Sequence, residues 1–310
     1  FLGGKMSLSK EKAVQVIETK IAGPLKLGNA RAAWGIHETA NEDVARAFRV
    51  HAAGRGFDYR QSAMIAFGGS GPIHALRIAR KLKIPRVIFP IGAGVMSAFG
   101  LLVSPNSFEV IKAEKVLLNQ LNAGALTERL NQLVNQASQF LLEAGVAHDS
   151  IGIRLRLDMR YQGQGHEIEV PLPQIKDIAH IFNELPRLFA DHYARVFSIS
   201  FLKQPIEIVN WKVEASGPAP PMSERGFFLD SFIAATEVDK DFIKGTRNVY
   251  FPDRDGFIEC PIYDRYKLGP GVVIKGPALI EENESTCVIG LGDLVHVDAG
   301  HNLIADVTAD

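Results

Sequence analysis

The chain has 310 residues, more than one ordinary core accommodates, so two or three domains are expected. Its 46% hydrophobic and 22% charged residues are a soluble globular composition, and a formal net charge of -1 provides no global field to attract nucleic acid or anionic lipid. No run reaches the roughly 18 apolar residues that a bilayer span requires. Cys260 and Cys287 form neither a CxxC nor a Cys/His cluster, so the expectation is buried free thiols in a reducing cytoplasm rather than a disulfide framework. The opening Phe1-Leu2-Gly3-Gly4 has no initiator Met and no charged leader, so the chain is expected to be a fragment of a longer protein.

In chain order, residues 9–21 carry Ala13, Val14, Ile17 and Ile21 at helical spacing, with Ser9 as cap and Gly23-Pro24 as stop. A second helix is predicted over 30–53 and is broken by Gly54-Arg55-Gly56. Residues 63–67 are an apolar run of strand length. They enter the cluster Gly68, Gly69, Ser70, Gly71, Pro72, and a helix then follows to Leu82 with Ile73, Leu76, Ile78, Ala79 and Leu82 inward. Residues 87–89 are a second short strand, so the unit reads as a parallel βαβ crossover.

The segment 97–102 is rich in small residues, and 121–145 is a long amphipathic helix with Leu126, Leu130, Leu133, Val134, Ala137, Phe140 and Leu141 on one face. From Ile151 the period changes to two, with a hairpin-like connection over 161–166. A helix over 178–197, a strand over 206–215, a Pro/Gly/Ala-rich linker at 216–221 and short strands from about Arg247 complete the chain. The expected division is an α/β portion at 1–118, an α+β domain at 119–220 and a β-rich domain at 221–310.

A strand that runs into a glycine cluster and then a helix offers bare backbone and the unpaired N–H groups of a helix start, the chemistry of a phosphate or nucleotide edge. It is neither a Walker A loop nor a GxGxxG fingerprint, and spacing alone leaves a plain turn equally open. His74 on the first helical turn reads as a polar cap.

Elsewhere, alternation puts His166 and the pair Glu167, Glu169 on opposite faces of a strand, which opposes a joint metal site. His192-Tyr193 reads as helix surface or packing. Asp253-Arg254-Asp255-Gly256 lacks calcium-loop spacing and reads as a turn. Ser285-Thr286 has no His/Asp constellation in sequence to make a nucleophile. No metal site and no catalytic residue are assigned.

The stretch Ala66-Phe67-Gly68-Gly69-Ser70-Gly71-Pro72-Ile73-His74-Ala75 resembles a signature of the hydantoinase A/5-oxoprolinase family. The similarity continues through 84–87, Pro90, Gly94 and 97–102. Farther on it takes in 160–164 with Glu167 and Val170-Pro171, then 205–210, and 276–282 with Ser285-Thr286. Upstream, Leu2-Gly3-Gly4 and Ala45-Arg46-Ala47 also fit. The resemblance implies part of an actin/Hsp70-like (ribonuclease H-like) ATPase lobe, followed by an α+β unit and a small β-rich domain. Carried over, Gly68, Gly69, Ser70, Gly71, Pro72 and His74 would line ATP, with Ser97 and Gly100 as a neighbouring wall.

The implied activity is ATP-dependent opening of a hydantoin or 5-oxoproline-like ring in the cytoplasm, through phosphorylation of the amide oxygen. A hydantoinase B-type partner within a larger oligomer is implied, and the Mg²⁺ and β/γ-phosphate ligands lie in the family's N-terminal half. An ATP-dependent ketone carboxylase subunit shares the same motifs, and a partner-docking scaffold without nucleotide is the reading from another class. The β-rich C-terminal half argues against a sugar-kinase-like phosphotransferase. The pattern departs from many relatives at Ala52 and Gly54, where Ser and Glu are expected, and at Phe197-Ser198, where Tyr-Gly is expected.

Overall fold

The computed structural model describes residues 5–173, 178–199, 201, 204–220, 240–254 and 256–307. Its helices are α1 (Lys10–Ile17), α2 (Gly23–Leu25), α3 (Asn29–Ala53), α4 (Gly71–Leu82), α5 (Met96–Val103), α6 (Ala123–Glu143) and α7 (Ile178–Phe197). The first six strands are β1 (Ala63–Ile65), β2 (Arg86–Phe89), β3 (Ser107–Leu117), β4 (Gly152–Tyr161), β5 (Ile168–Pro171) and β6 (Ile206–Ser216). They are followed by β7 (Ile243–Phe251), β8 (Gly256–Asp264), β9 (Val273–Lys275), β10 (Ala278–Glu281), β11 (Thr286–Ile289), β12 (Leu294–Val297) and β13 (Leu303–Asp306). The fold class read from the sequence, mixed α/β with an α+β unit and a β-rich C-terminal segment, stands.

Two compact units divide the chain: residues 1–101 with 222–310, and residues 102–221. The first is built around the expected βαβ element, in which β1 and β2 pair in parallel, with Met64 opposite Val87. Two short strands leave their edges and faces unpaired, and the C-terminal segment completes them. β13 pairs antiparallel to β2, with Ile304 opposite Ile88, and the five-stranded sheet runs β1-β2-β13-β12-β9. A second sheet, β11-β10-β8-β7, shares the same core, where Leu76, Ala79, Leu82 and Phe89 are buried together with Ile274, Ile280, Val295 and Leu303. The β-rich segment is therefore joined to the N-terminal element by a shared sheet, where the sequence reading placed a boundary near 220. Of the predicted inward face of α4, Leu76, Ile78, Ala79 and Leu82 are buried, and Ile73 is exposed instead.

The second unit is an antiparallel sheet, β3-β6-β4-β5, covered on one face by α6 and α7. Leu126, Leu130, Leu133 and Ala137 of α6 meet Trp211 and Val213 of β6 and Phe189 of α7 in one core. Phe140, expected inward, is exposed and stacks on Phe108 with ring centroids 4.1 Å apart. The period-two pattern of β4 fails where the register shifts between Asp158 and Met159, so Leu157, Asp158 and Met159 are buried in succession. The buried Asp158 is compensated by Lys212 at 2.9 Å and the Asn210 amide at 2.8 Å.

At the exit of α7, Ser198 adopts φ +58, the left-handed region in which a side chain is strained and glycine is not. The departure noted at Phe197-Ser198 thus falls where a glycine is conformationally preferred. Ser198→Gly is expected to stabilise the chain by about 0.5–1 kcal/mol, read as a higher denaturant midpoint at unchanged slope. An unchanged or lowered midpoint opposes the strain assignment.

A candidate nucleotide-binding loop

Parallel pairing continues one residue past β1, where the Ala66 N–H donates to the Ile88 carbonyl at 2.9 Å. The chain then turns outward. Gly68 takes φ +88, and its N–H donates to the Ala93 carbonyl at 2.8 Å. Gly69 and Ser70 are exposed, and α4 starts at Gly71-Pro72 with Ser70 at the cap position but no side-chain cap bond. In the first turn Pro72 carries no N–H and the Ile73 N–H donates to the Ser70 carbonyl at 3.1 Å, while the positive end of a helix 12 residues long lies behind the loop.

The glycines here differ in what they do for the fold. Gly68 is required by its φ. Gly69 and Gly71 lie outside that conformational region, and an added Cβ would find ordinary space. The nearest atom at Gly69 is the Glu284 carbonyl oxygen at 3.6 Å, and nothing lies within 4 Å at Gly71. Neither backbone conformation nor internal packing requires a glycine at these two positions.

The loop is braced from the far end of the chain. A Cβ at Gly94 would lie 2.5 Å from Glu284 Cβ and 2.8 Å from its carbonyl, so this glycine is a packing requirement. One turn earlier, the Gly92 N–H donates to Glu282 Oε1 at 3.1 Å, and Ser285 Oγ donates to Glu282 Oε2 at 3.0 Å. Arg265, 1% exposed, stands with Nε 3.6 Å from Glu282 and donates to the His301 carbonyl. Burial raises the Glu282 carboxyl above its ordinary value, opposed by the Arg265 charge and by hydrogen bonds from Ser285 and Gly92. Ser285 is therefore a structural donor. Two of the recognised stretches, 66–75 and 276–286, meet here, which their separation in sequence does not reveal.

His74 is turned onto α3. Its Nδ1–H donates to Asn41 Oδ1 at 2.8 Å, and the Asn41 amide group donates to His37 Nδ1 at 3.1 Å. The two imidazoles stack with centroids 4.5 Å apart, and Asn41 is fully buried between the helices. Sequence reading missed Asn41 and His37; the available signal was one amide in the interior stretch of an amphipathic helix. Burial lowers the His37 pKa first and the His74 charge second, while His74 is lowered by burial.

Ser97 is exposed and Gly100 half-buried, both on α5, and the bond that ties this region to the loop runs to Ala93 ahead of α5. Ala52 is buried, and with Gly54 it closes the C-terminal end of α3. Glu167 pairs with Arg160 at 3.7 Å and Glu169 with Lys212 at 3.0 Å. Among the described residues no three His, Cys, Asp or Glu side chains form a metal site. Pro252–Arg254 is a short helical turn, and residue 255 lies outside the described residues. Cys260 and Cys287 are buried free thiols, the latter pushed up to about 12 by burial.

Comparison with known proteins joins these observations. The hydantoinase/oxoprolinase family model matches residues 1–109, and the model of the hydantoinase/oxoprolinase C-terminal domain matches 118–305. The chain belongs to the hydantoinase/oxoprolinase family. It is 30% identical to an uncharacterized protein of Methanocaldococcus jannaschii, over 93% of this chain and 39% of that one. It is 29% identical to caprolactamase subunit alpha of Pseudomonas jessenii, over 96% and 42%.

The crystal structure of that ATP-dependent caprolactamase superposes with a TM-score of 0.69 at 26% identity, over 98% of this chain and 44% of that chain. The acetone carboxylase beta subunit of Xanthobacter autotrophicus is 26% identical over 98% and 43%. A nucleotide-free acetone carboxylase structure shares the fold, with a TM-score of 0.69 at 22% identity over 99% and 44%. The chain thus spans about two-fifths of the length of the curated relatives it matches. Among the described residues no helix is long and apolar enough to cross a membrane.

Two consequences are testable. Gly94→Ala is expected to destabilise the chain by about 1–3 kcal/mol, because backbone must move to admit the methyl. Chemical denaturation measures it, and a neutral result removes the Gly94–Glu284 brace.

The second concerns pH. The folded state holds both imidazoles below their ordinary value of 6.5, so the unfolded chain binds more protons just below that value. Stability is full above about pH 6.5 and declines as pH falls below it. A double variant His37→Gln, His74→Gln is expected to flatten this slope in melting temperature between pH 7.5 and about 5. An unchanged slope assigns the effect to other groups.

Proposed function

We propose that the chain is the C-terminal part of an ATP-dependent cyclic-amide hydrolase subunit, acting on a hydantoin or 5-oxoproline-like ring with a hydantoinase B-type partner. The loop Gly68, Gly69, Ser70, Gly71, Pro72 is its nucleotide contact. The observation that carries the reading is the bareness of Gly69 and Gly71, which neither backbone conformation nor internal packing demands. Membership of the family, and similarity to a caprolactamase described as ATP-dependent, supply the chemical class.

When bound, ATP supplies a phosphoryl group that turns the oxygen of a resonance-stabilised amide into a leaving group. This chain's part is to bind and orient. Gly69 and Gly71 offer a side-chain-free edge to a base or ribose, and the positive end of the α4 dipole lies beside it. The Gly68–Ala93 and Gly92–Glu282 bonds hold that edge rigid before a ligand arrives, which lowers the ordering cost of binding. Mg²⁺ and its ligands come from outside the chain in this reading.

The ketone carboxylase reading would use the same loop, and similarity to the acetone carboxylase beta subunit, 26% identical over 98% of this chain, supports weighing it. ADP release by the full-length enzyme with its partner subunit separates the two. Stimulation by hydantoin or 5-oxoproline and not by acetone is expected, and the reverse assigns the carboxylase. Gly69→Val is expected to remove ATP-dependent thermal stabilisation of the full-length protein while leaving its ligand-free melting temperature within about 2 °C. Retained stabilisation by ATP in that variant overturns the site, and its loss together with the fold is resolved by Gly69→Ala, which adds one methyl at ordinary contact distance, 3.6 Å, from the Glu284 carbonyl oxygen.

A further inference from the structure

The first unit holds a cavity of about 800 Å³, within the range that takes a small organic ligand. Ile73, Leu76, Arg77, Arg80 and Lys81 of α4 line it, together with α3, the β7–β8 hairpin and residues 288–292. Three rings from two of these elements make a continuous wall. Trp34 and Tyr250 have centroids 6.3 Å apart at 54°, and Tyr250 and Phe257 are 5.6 Å apart at 66°. Phe257 is 63% exposed, so the wall presents an uncovered apolar surface to the cavity.

The charged groups of the cavity are unequally committed. Arg80 pairs with the nearly buried Asp293. Lys81 pairs with both Glu38 and Glu42. Among the described residues Arg77 pairs with Glu38, at 3.5 Å, and that carboxylate is already bonded by Lys81. The Arg77 guanidinium lies over the Trp34 ring, with Cζ 4.7 Å from its centroid. That stacking uses the face of the guanidinium and leaves its in-plane N–H fork for an anion. The neighbouring His37 is held toward its neutral form by burial and by His74, and offers no competing charge.

We infer that this cavity is a second ligand site, for a planar aromatic carboxylate whose ring lies against Trp34, Tyr250 and Phe257 and whose carboxylate engages Arg77. The inference is independent of the nucleotide reading, because neither the loop nor its brace lines the cavity.

Equilibrium dialysis of the 310-residue chain against 2-naphthoate and its neutral isostere 2-naphthamide tests it. Saturable one-to-one binding of 2-naphthoate is expected, at least tenfold tighter than the amide, with a change in Trp34 emission; Trp211 is buried in the other unit. Arg77→Gln is expected to abolish the preference for the acid, Arg77→Lys to restore it in part, and Phe257→Ala to weaken acid and amide alike. Gly69→Val is expected to leave 2-naphthoate binding unchanged, which separates this site from the nucleotide loop. Equal affinity for acid and amide, undiminished binding in a folded Arg77→Gln variant, or no saturable binding overturns the assignment.

Discussion

The pairing of β13 with β2 is the constraint on which the first unit depends. A βαβ element with strands of three and four residues buries too little to hold itself together. Leu303 and Ala305 come from the far end of the chain to sit opposite Phe89 and Val87, and both are buried. Through this pairing, β12 and β9 extend the sheet and the second sheet packs into the same core. The glycine loop inherits its position from this arrangement, since it leaves the sheet at the end of β1.

The same closure explains why the loop is held by hydrogen bonding and close packing from the far end of the chain. A loop rich in glycine has few side chains of its own with which to anchor. Its support comes from behind, from Glu282 through Gly92 and from Glu284 against Gly94. Glu282 and Arg265 are both buried, and desolvation drives each toward its neutral form while their mutual attraction opposes that drive. Removing one partner would leave the other as an uncompensated buried charge. The arrangement is thus stable only as a set, and it fixes one register between the 281–285 turn and the 90–95 turn.

Local features were legible in the sequence because they follow from period and chemistry within a few residues. The apolar spacing of α4, Ser9 as cap of α1, and the strand–glycine–helix order of residues 63–82 are of this kind. The loop residues are legible as a connected segment because they are contiguous. Partners distant in sequence were not legible. Nothing in the residues 303–306 says that they will lie on β2, and nothing in Glu284 says that it will lie against Gly94. Ile73 and Phe140 were read as inward because they are apolar and near the right phase. Both sit at the margin of the apolar stripe, where a shift of one position, about 100° on a helix, decides burial. Asn41 was passed over because a single amide in a helix carries no pattern; its meaning exists only once His37 and His74 are beside it.

Helix α4 has four differently placed surfaces, and this division accounts for most of its composition. Its N-terminus is small and has no side-chain cap, with Gly71-Pro72 following Ser70. Its inner stripe has to match a tight β core, hence Ala75, Ala79 and Leu82. Its outer stripe is neither a solvated charge face nor a packed one: Arg77, Arg80 and Lys81 lie beside the exposed Ile73 along an aromatic-walled cavity. His74 belongs to a fourth direction, toward α3, and locks the rotation of the helix about its axis through Asn41. Because one rigid helix carries all of these, its orientation cannot be altered for the benefit of one surface without moving the others. That shared rigidity links the bareness of the loop to the shape of the cavity.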